Sequence, residues 1–450
     1  MTGKLEKEKE SNLIFFFLVI EYINERNDKM ITKPKGTYDL MGIDAKYYRY
    51  ISNVVDELMG NYNYEYIRTP IFEASELFHR GVGEDTDIVT KETYDFKDRG
   101  DRNITLRPEG TAGVVRSFIE NKLYGNRNDA IKLYYNGTMY RYERPQSGRY
   151  RELTQIGAEV FNSNDPMIDA EVISMGYYIL KELGIEDTTV RINTLGDKES
   201  RSNYTKALKD YLKPHINELC EDCRRRFNTN PLRIIDCKYD HSIPEGQKIL
   251  DNVPKITDYL SDASRERFEK VKNYLTILNI DYELDDSIVR GLDYYDENVW
   301  EYYASGEGLA LGGGGRYNGL VENLDGPSTP AVGFAFGIDR IISELKKRID
   351  EKHFNLGIDA YIMSVSDEEK IHALDIAQSL RLNNVVCEIN SNNLSMKSQF
   401  KIADNLNAKF LIILNNEDLQ KGIIKVKDNA TKEETLVDEA EIVDWILGNI

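Results

Sequence analysis

Arginine, glutamate and glycine recur together in four parts of the sequence, and this combination of residues could bind phosphate groups. A guanidinium binds a phosphate through two hydrogen bonds, and glycine lets a ligand approach the backbone closely. The four parts are residues 105–111, the pair 140–144 and 155–159, the pair 289–295 and 311–317, and residues 331–340. They contain none of the five histidines or four cysteines, and the sequence has neither a Walker-type phosphate loop nor a nucleophile elbow. We therefore expect catalysis by positioning and charge stabilisation, without a covalent nucleophile.

Three arginines in these segments are expected on three different elements. Arg141 is expected inside a strand, where its side chain either faces solvent or binds an anion. Arg340 is expected in the first turn of a helix entered through Gly337, where free N–H groups and the helix dipole favour phosphate. Arg290 lies among glycine and paired tyrosines. Any one of them alone is more often part of a surface salt bridge, but three on separate elements could clamp a polyphosphate.

The elements that must position these segments predict an α+β core with an antiparallel sheet. A helix is predicted over 45–59 because four apolar residues recur at the spacing of one helical face, namely Ile51, Val54, Val55 and Leu58. Strands are predicted at 64–69, 134–144, 152–161, 298–303, 309–311 and 331–336, and a helix at 338–347. The second and third of these strands flank a turn-rich centre, which predicts a hairpin with a long loop.

The remaining regions predict further domains. Residues 198–285 are helical in pattern and highly charged, and we interpret them as an insertion that forms its own small domain within a catalytic domain over 30–355. Strands alternate with helices over 356–450, which predicts an α/β domain. Residues 1–29 include an apolar run at 13–20 that is too short to span a membrane and is followed by no cleavage site. We interpret 1–29 as an appendage from a misassigned start codon, outside the fold.

Composition restricts the partners and the compartment. The 77 acidic and 58 basic residues give a formal charge of −19, which argues against simple coating of nucleic acid or membrane by a basic surface. A nucleic-acid partner remains compatible with local basic segments, since four arginines fall within 141–151. Four scattered cysteines in a chain of 450 residues favour a reducing compartment, and we expect a cytoplasmic protein.

The order of these segments resembles that of the signature blocks of histidyl-tRNA synthetases. Helix 45–59 with the strand after it is similar to motif 1, which builds the dimer interface of class II synthetases. The hairpin 141–159 resembles motif 2, and 333–340 resembles motif 3. Residues 289–295, together with the glycine-rich 312–317, resemble two blocks peculiar to the histidine enzyme.

This resemblance implies an architecture, a reaction and partners. It implies a class II catalytic domain with an antiparallel sheet and flanking helices, a small mainly helical insertion domain, and a C-terminal α/β anticodon-binding domain. The implied enzyme is a homodimer that joins histidine to its tRNA, with ATP as substrate and Mg²⁺ as cofactor. The arginine-rich turn 144–151 would approach the acceptor stem, and the C-terminal domain would approach the anticodon.

The resemblance also implies residue roles in ATP binding and catalysis. Arg141 would hold the ATP α-phosphate and the histidine carboxylate, and Arg290 would contact the α-phosphate from the other side. Arg340 would hold the γ-phosphate and face the adenine. Glu143 and Arg149 would complete the ATP site.

A second set of residues would bind histidine. Glu109, Thr111 and Gln155 would bind the α-amino group. Glu159 and Tyr295 would recognise the imidazole, with Tyr294 lining the pocket. A carboxylate and a phenol suit a ring with two nitrogens. The remaining residues expected against the substrate are two glycines, Gly110 and Gly313.

Three positions depart from the family pattern. Leu153 stands where an aromatic residue often lies against adenine, and Asn318 replaces an aspartate that follows the arginine–tyrosine pair. Asp339 replaces a glutamate before the motif 3 arginine. The first departure is expected to loosen ATP binding and the last to alter Mg²⁺ ligation, and none removes an arginine.

A cysteine cluster in the insertion has the spacing of zinc ligands. Its members are Cys220, Cys223, Cys237 and His241. The alternative is that they are small buried residues without a metal. Because the family does not keep cysteine here throughout, a required metal is not expected.

Two other functions are compatible with parts of this pattern. A non-catalytic relative that regulates histidine biosynthesis or senses uncharged tRNA usually lacks the histidine-specific arginine or the C-terminal domain, and this sequence has both. A class II synthetase for another amino acid conflicts with Glu159 and with the segment 290–295.

Overall fold

The structure is a computed structural model that describes residues 31–83, 86, 88–125, 129–144, 148–304, 308–354 and 357–450. It forms two compact units, of which the first ends at Arg348 and the second spans Ile349–Ile450. The division lies close to the domain boundary expected at 355. The appendage predicted at 1–29 and the centre of the predicted hairpin loop, 145–147, lie outside the described residues.

An eight-stranded sheet forms the centre of the first unit. Its neighbours follow the order β1-β5-β6-β11-β10-β9-β7-β8, and every pair is antiparallel except the outer pairs β1–β5 and β7–β8. Strands β2, β4 and β3 form a small separate sheet. The strands are β1 (Glu65–Tyr66), β2 (Phe72–Ala74), β3 (Tyr94–Lys97), β4 (Asn103–Leu106), β5 (Ile131–Tyr140), β6 (Glu152–Phe161), β7 (Thr188–Thr194), β8 (Tyr282–Leu284), β9 (Asp296–Ala304), β10 (Gly312–Arg316) and β11 (Ala331–Gly337). The predicted α+β class is confirmed.

Helices flank this sheet and form most of the insertion. They are α1 (Gly42–Asn61), α2 (Ser75–Val82), α3 (Thr111–Glu120), α4 (Pro166–Glu182), α5 (Lys198–Leu212), α6 (Glu221–Thr229), α7 (Leu232–Ile235), α8 (Lys238–His241), α9 (Pro244–Leu250), α10 (Asp262–Ile277), α11 (Leu320–Asn323) and α12 (Ile338–Leu345). Short helical turns lie at Ile88–Glu92, Ile216–Glu218 and Ile256–Tyr259. Helix α1 buries a face at every fourth residue, namely Tyr47, Ile51, Val55 and Met59. The predicted helix is therefore present, but Val54 and Leu58 lie at the margin of its buried face.

The glycine-rich segment is a central strand rather than the edge of a turn. The strand predicted at 309–311 instead begins at Gly312 and pairs with β9 on one side and β11 on the other. Gly314 lies opposite both Trp300 and Phe334, and a Cβ there would clash with the carbonyl oxygen of Gly333. The neighbouring side chains fill the space that a larger residue would need, so β10 depends on their packing.

The insertion shares its core with the rest of the first unit. Its buried residues, among them Leu208 and Ile234, belong to one apolar cluster with Phe118 and Phe161. A buried ion pair of Arg267 in α10 with Asp169 in α4 adds a polar connection, with a distance of 3.0 Å between nitrogen and oxygen. The segment therefore packs against the rest of the first unit and rejoins the main sheet as β8, and its description as a domain of its own stays a prediction.

The second unit is a five-stranded sheet with helices. Its strands are β12 (Ala360–Met363), β13 (Cys387–Ile389), β14 (Phe410–Ile413), β15 (Ile423–Asp428) and β16 (Glu434–Asp438), in the order β13-β12-β14-β15-β16. Its helices are α13 (Asp367–Leu382), α14 (Met396–Asn405), α15 (Asn416–Leu419) and α16 (Ile442–Leu447), with short turns at Glu351–Phe354 and Glu439–Glu441. The first three strands are parallel, as predicted, while β15 and β16 form an antiparallel hairpin that the sequence analysis missed. Among the described helices, none has the length and apolar run needed to cross a membrane.

Candidate active site

A cavity of about 460 Å³ in the first unit brings most of the predicted site residues together. Its walls come from β6, β10, β11, the start of α12 and the segment that follows β8. Eleven of the predicted residues line it, namely Glu109, Thr111, Arg141, Glu143, Arg149, Gln155, Arg290, Tyr294, Tyr295, Gly313 and Arg340. Gly110 and Glu159 are not among the lining residues and lie behind the surface of the cavity.

Glu159 is a buried carboxyl group held by two hydroxyl donors. The Thr111 hydroxyl donates to its Oε1 at 2.8 Å, and the Tyr317 hydroxyl donates to its Oε2. Burial raises the pKa of Glu159 to about 8, although these two hydrogen bonds act in the opposite direction. Tyr294 and Tyr295 stand beside this group with ring centroids 4.6 Å apart. The arrangement offers a polar centre that can exchange a proton, enclosed by aromatic rings.

Glu109 closes the N-terminus of helix α3. Its two oxygens accept hydrogen bonds from the backbone N–H groups of Thr111 and Ala112, each at 2.7 Å. Each oxygen keeps a further lone pair for a ligand. Gly110 packs against Tyr135, whose ring occupies the place that a Cβ would need. A side chain at position 110 would therefore displace the Tyr135 ring, and the predicted contact of Gly110 with substrate stays a prediction.

Arg290 lies at the cavity wall in an unusual backbone conformation. Its φ is 57°, in the left-handed region, and its guanidinium pairs with Glu301 on β9. The Arg290 Nε has no hydrogen-bond partner within the described ranges. A Cβ on Gly313 would lie 2.7 Å from a terminal nitrogen of Arg290, so the glycine makes room for the guanidinium. The arginine is thus aimed by one carboxylate and keeps hydrogen-bonding capacity for an anion.

Arg141 follows β5 directly and does not lie within it. The ladder of the hairpin ends at the pair Tyr140 and Glu152, although the Arg141 N–H still donates to the Arg151 carbonyl at 2.9 Å. The Arg141 Nε donates to the Pro108 carbonyl at 2.8 Å. The predicted position inside the strand is corrected by one residue. The end of the ladder leaves the guanidinium free to turn into the cavity.

Two further cationic groups border the same cavity. Arg149 pairs with Glu143 at 3.2 Å. Arg340, in the first turn of α12 as predicted, donates from its guanidinium to the Ala310 carbonyl at 2.6 Å. Burial lowers the pKa of Arg340, and the neighbouring charges of Arg149 and Arg141 act in the same direction. This concentration of positive charge favours a polyanionic ligand.

The three departures occupy different places in this arrangement. Leu153 lines the cavity. The Asp339 carboxylate accepts a hydrogen bond from the Tyr38 hydroxyl, and Asn318 Oδ1 accepts hydrogen bonds from Arg316 and from the Ala331 N–H, each at 3.2 Å. Asn318 therefore supplies the acceptor for which an aspartate would also serve.

Sequence reasoning assigned no role to two residues of this site, Glu301 and Tyr317. Glu301 aims Arg290, and Tyr317 donates to Glu159. A signal for Glu301 was available, because a charged residue interrupts the otherwise apolar and aromatic run 299–304. Tyr317 gave no comparable signal, since a tyrosine after a strand is usually a packing residue.

The zinc-like cluster has a different membership from the predicted one. Cys220, Cys223 and Cys237 approach one another as expected, but the fourth potential ligand is Asp240. His241 points elsewhere, since its Nε2 donates to the Ile235 carbonyl at 2.8 Å.

Comparisons with known proteins match both units. The family model described as histidyl-tRNA synthetase matches residues 36–341, and that described as anticodon binding domain matches residues 359–449. The chain belongs to the histidyl-tRNA synthetase family. Histidine–tRNA ligases of Geobacillus sp. (strain WCH70) and Anoxybacillus flavithermus are 46% and 47% identical over 92% and 89% of this chain, covering 98% and 95% of their own lengths. The apo S. aureus histidyl-tRNA synthetase superposes with a TM-score of 0.77 at 39% identity, covering 93% of this chain and 100% of that one.

Family membership confirms the predicted family, fold class and enzyme class. The first unit contains the catalytic domain of a histidyl-tRNA synthetase family member, and the second contains its anticodon-binding domain. The chain is therefore an aminoacyl-tRNA ligase of the histidine type.

Proposed function

We propose that the 460 Å³ cavity is where this chain joins histidine to the AMP part of ATP, with release of pyrophosphate, and then passes histidine to its tRNA. The single observation that supports the proposal is that one cavity contains both an aromatic pocket and a positively charged wall. One is the aromatic pocket behind which Glu159 lies, and the other is the wall that carries Arg141, Arg290 and Arg340. The first suits an imidazole and the second suits a triphosphate.

The imidazole is bound by the group that contains Glu159. Its neutral form has one N–H donor and one acceptor nitrogen, so it complements a carboxyl group that shares a proton. Thr111 and Tyr317 fix the orientation of that carboxyl group. Gln155 Oε1 is buried without a hydrogen-bond partner in the described part of the chain, and it supplies an acceptor for the ammonium group together with Glu109.

The arginines act on the phosphate that reacts. A carboxylate oxygen of histidine attacks the α-phosphorus of ATP, the new oxygen–phosphorus bond forms, and the bond to pyrophosphate breaks. Negative charge grows on the phosphorane oxygens, and fixed cations stabilise that charge more in the transition state than in the ground state. Arg290 and Arg141 supply this stabilisation, and Arg340 holds the departing pyrophosphate.

A divalent cation fits beside Glu143. Mg²⁺ is usually held by one or two carboxylates together with phosphate oxygens. The Glu143 Oε2 is buried and its described partner is the Arg149 guanidinium at 3.2 Å, while the Asp339 carboxylate already accepts a hydrogen bond from Tyr38. Glu143 is therefore the proposed protein ligand, and Mg²⁺ would neutralise part of the triphosphate charge.

The transfer step involves groups outside the cavity. The 3′-terminal adenosine of the tRNA attacks the carbonyl carbon of the adenylate, and AMP leaves. Arg144 and Arg151 belong to the arginine-rich turn and would contact acceptor-stem phosphates. The second unit would bind the anticodon, as its family description implies.

A homodimer is part of the proposal. The residues around β1 and β2 correspond to motif 1 and expose three large apolar side chains, since Tyr66, Ile71 and Phe72 are each about half exposed. Exposed apolar patches of this kind often mark protein interfaces. Light scattering is expected to report a dimer, and Phe72→Glu is expected to shift it to a monomer. Ile277→Glu, at a similarly exposed position in α10, should leave the dimer intact.

The test of the reaction is ATP–pyrophosphate exchange with each amino acid in turn. Exchange is expected with histidine alone and should fall by about 10²–10³-fold in Arg290→Ala. Arg102→Ala removes an exposed arginine paired with Asp98 and should leave exchange unchanged. Histidine binding by folded protein without any exchange would contradict the proposal and favour a regulatory role.

A further inference from the structure

Three cysteines and an aspartate of the insertion form a cluster that the proposed reaction does not use. The sulfur atoms of Cys220, Cys223 and Cys237 and a carboxylate oxygen of Asp240 all lie within 4.8 Å of one another. Cys223, Cys237 and Asp240 are buried and Cys220 is half-buried. We propose that these four side chains bind one zinc ion, and that this ion fixes the insertion beside the active-site cavity.

The spacing of the ligand atoms suits a tetrahedral ion. Zinc–sulfur bonds of ~2.3 Å in a tetrahedron place neighbouring sulfur atoms about 3.8 Å apart. The Sγ atoms of Cys220 and Cys237 are 3.7 Å apart. The most distant pair in the cluster, within 4.8 Å, needs a movement of only about 1 Å to reach the same geometry. Three thiolates with one oxygen favour zinc over the harder cations, which prefer oxygen ligands alone.

Asp240 provides evidence independent of the cysteines. Its side chain is fully buried, and its Oδ1 accepts a hydrogen bond from the Cys220 N–H at 2.9 Å. Its Oδ2 has no N–H or O–H donor among the residues described, and the groups near this carboxylate are the three cysteine thiols. A buried carboxylate oxygen without a partner is costly unless a donor or a cation binds it. A cation at the centre of the three sulfur atoms would satisfy this oxygen.

The backbone around the cysteines favours their negatively charged thiolate form. Cys220 precedes helix α6, Cys223 lies in the first turn of the same helix, and Cys237 precedes α8. Free N–H groups and the positive end of the helix dipole at these positions stabilise negatively charged sulfur. When the ion binds, each thiol releases its proton to solvent.

The ion would connect helices α6 and α8. The residues between these two helices contact the segment 289–295, which resembles a block peculiar to the histidine enzyme. Asn230 donates to the Asp293 carboxylate at 2.8 Å, and Arg233 donates to the Gly291 carbonyl at 3.1 Å. Both residues lie between Cys223 and Cys237, next to the segment that carries Arg290. Cys220 and Cys237 also border a second cavity, of about 770 Å³, that shares Arg141 with the active site. The zinc site would therefore stabilise the wall of the active site indirectly, through the contacts of Asn230 and Arg233 with the segment that carries Arg290.

Metal analysis of the reduced full-length protein is the direct test. Purified chain loaded with Zn²⁺ and then dialysed should hold about one zinc ion per chain. Co²⁺ added to the metal-free protein should give intense ligand-field absorption and a thiolate-to-metal band, as tetrahedral sulfur sites do. Chelation should lower the melting temperature, and Zn²⁺ should restore it.

Variants separate the proposed ligands from their neighbours. Cys223→Ser should abolish stoichiometric binding, and Asp240→Asn should weaken the affinity at least tenfold. His241→Gln and Cys387→Ser change a nearby histidine and a buried cysteine of the second unit, and both should keep one ion. Circular dichroism of each variant confirms folding, and the metal-free wild type provides the folded reference if Cys223→Ser fails to fold.

Three results would overturn the proposal. The first is reduced wild type that is folded but binds far less than one zinc ion per chain. The second is Asp240→Asn that binds as tightly as the wild type while His241→Gln does not. The third is loss of two titratable thiols in air, reversed by reductant, from a protein that binds no metal in its reduced form. Histidine-dependent exchange is measured separately, so failure of the zinc site and failure of the proposed reaction give different results.

Discussion

Two arginine–carboxylate pairs of the first unit differ in how many of their hydrogen-bond donors are used. One pair has its arginine on β10, and the other has its carboxylate on the neighbouring strand β9. Arg316 on β10 and Asp169 on α4 are both fully buried, with nitrogen–oxygen distances of 3.0 and 2.6 Å. Arg316 also donates to the Ser163 carbonyl and to Asn318, so each nitrogen of its guanidinium has an acceptor. Arg290 pairs with Glu301 but keeps an Nε without a partner among the described residues, at the wall of the cavity.

The two pairs carry the same charges, and they differ in how far the hydrogen-bond donors of the arginine are satisfied. Burial would raise the pKa of Asp169, but the positive charges of Arg316 and Arg267 hold it below its ordinary value. Such a pair connects elements of the fold and has no capacity left for a ligand. Arg290 is held in place by one carboxylate and a left-handed backbone, and its remaining donors are available to an anion. Arg290 thus combines an unsatisfied donor with a place at the cavity wall, and Arg316 has neither.

Removing the saturated carboxylate should have the largest effect. Asp169→Ala leaves Arg316 and Arg267 buried without their partner, and the free energy of unfolding should fall by ~3–5 kcal/mol. Urea denaturation followed by circular dichroism measures this change. Arg102→Ala, which breaks the exposed pair of Arg102 with Asp98, should leave the same free energy nearly unchanged. Equal effects of the two substitutions would contradict the structural role of Asp169.

Substituting the unsaturated arginine should affect rate far more than stability. Arg290→Ala should raise the barrier to histidine activation by ~2.7–4 kcal/mol because it removes a donor to the developing charge. Its free energy of unfolding should change by about 1 kcal/mol, since Glu301 keeps a hydrogen bond from Tyr303. Single-turnover adenylate formation and urea denaturation of the same preparation measure both quantities. A loss of stability as large as that of Asp169→Ala would remove the distinction between the pairs.

The buried Glu159 should make stability depend on pH in a defined direction. Its pKa is raised from 4.5 to about 8, so the folded state binds a proton that the unfolded chain releases. This contribution is fully present below pH 4.5 and is lost as the pH rises through about 8, with a slope approaching ~1.4 kcal/mol per pH unit. Glu159→Gln should flatten this part of the profile in the absence of ligand. Identical profiles for the variant and the wild type would show that Glu159 does not hold the proton.

The smallest change in stability is expected from a substitution of Asn318, which accepts a hydrogen bond from Arg316. Asn318→Asp keeps the acceptor for Arg316 and for the Ala331 N–H, so stability should change by less than ~1 kcal/mol. Asn318→Leu removes that acceptor and should cost ~1–3 kcal/mol. Thermal unfolding of the two variants compares them directly. A larger loss for Asn318→Asp than for Asn318→Leu would show that the added charge, close to Asp296, matters more than the hydrogen bonds.

The sequence predicted those parts of the fold that have a strong local signal. Helix α1, the hairpin of β5 and β6, and strand β11 were found because apolar periodicity and turn residues mark them. Strand β10 was misplaced because glycine has low strand propensity, and only the packing of Trp300 and Phe334 makes a strand there. The hairpin of β15 and β16 was missed because charged residues interrupt its pattern.

The sequence predicted which residues belong to the candidate site, but it did not predict the hydrogen bonds that connect them. Arginines and glutamates can be read as candidates from their positions, yet the hydrogen bonds that orient them depend on distant elements. Tyr317 reaches Glu159 across 158 positions of the chain, and Asp240 replaces His241 in the cysteine cluster by a difference of one residue. Neither relation follows from spacing, because each depends on how the helices and strands pack.

The four successive glycines of β10 also have a consequence for folding kinetics. Glycine loses more backbone entropy on folding than any other residue, and a strand without side chains gains no contacts of its own in return. Residues 312–315 should therefore acquire their structure only after β9 and β11 have closed around them. In pulse-labelling hydrogen exchange during refolding, their amides should gain protection after those of β5 and β6. The surface on which Arg290 rests would then be completed late, so that catalytic competence would lag behind the formation of most of the sheet.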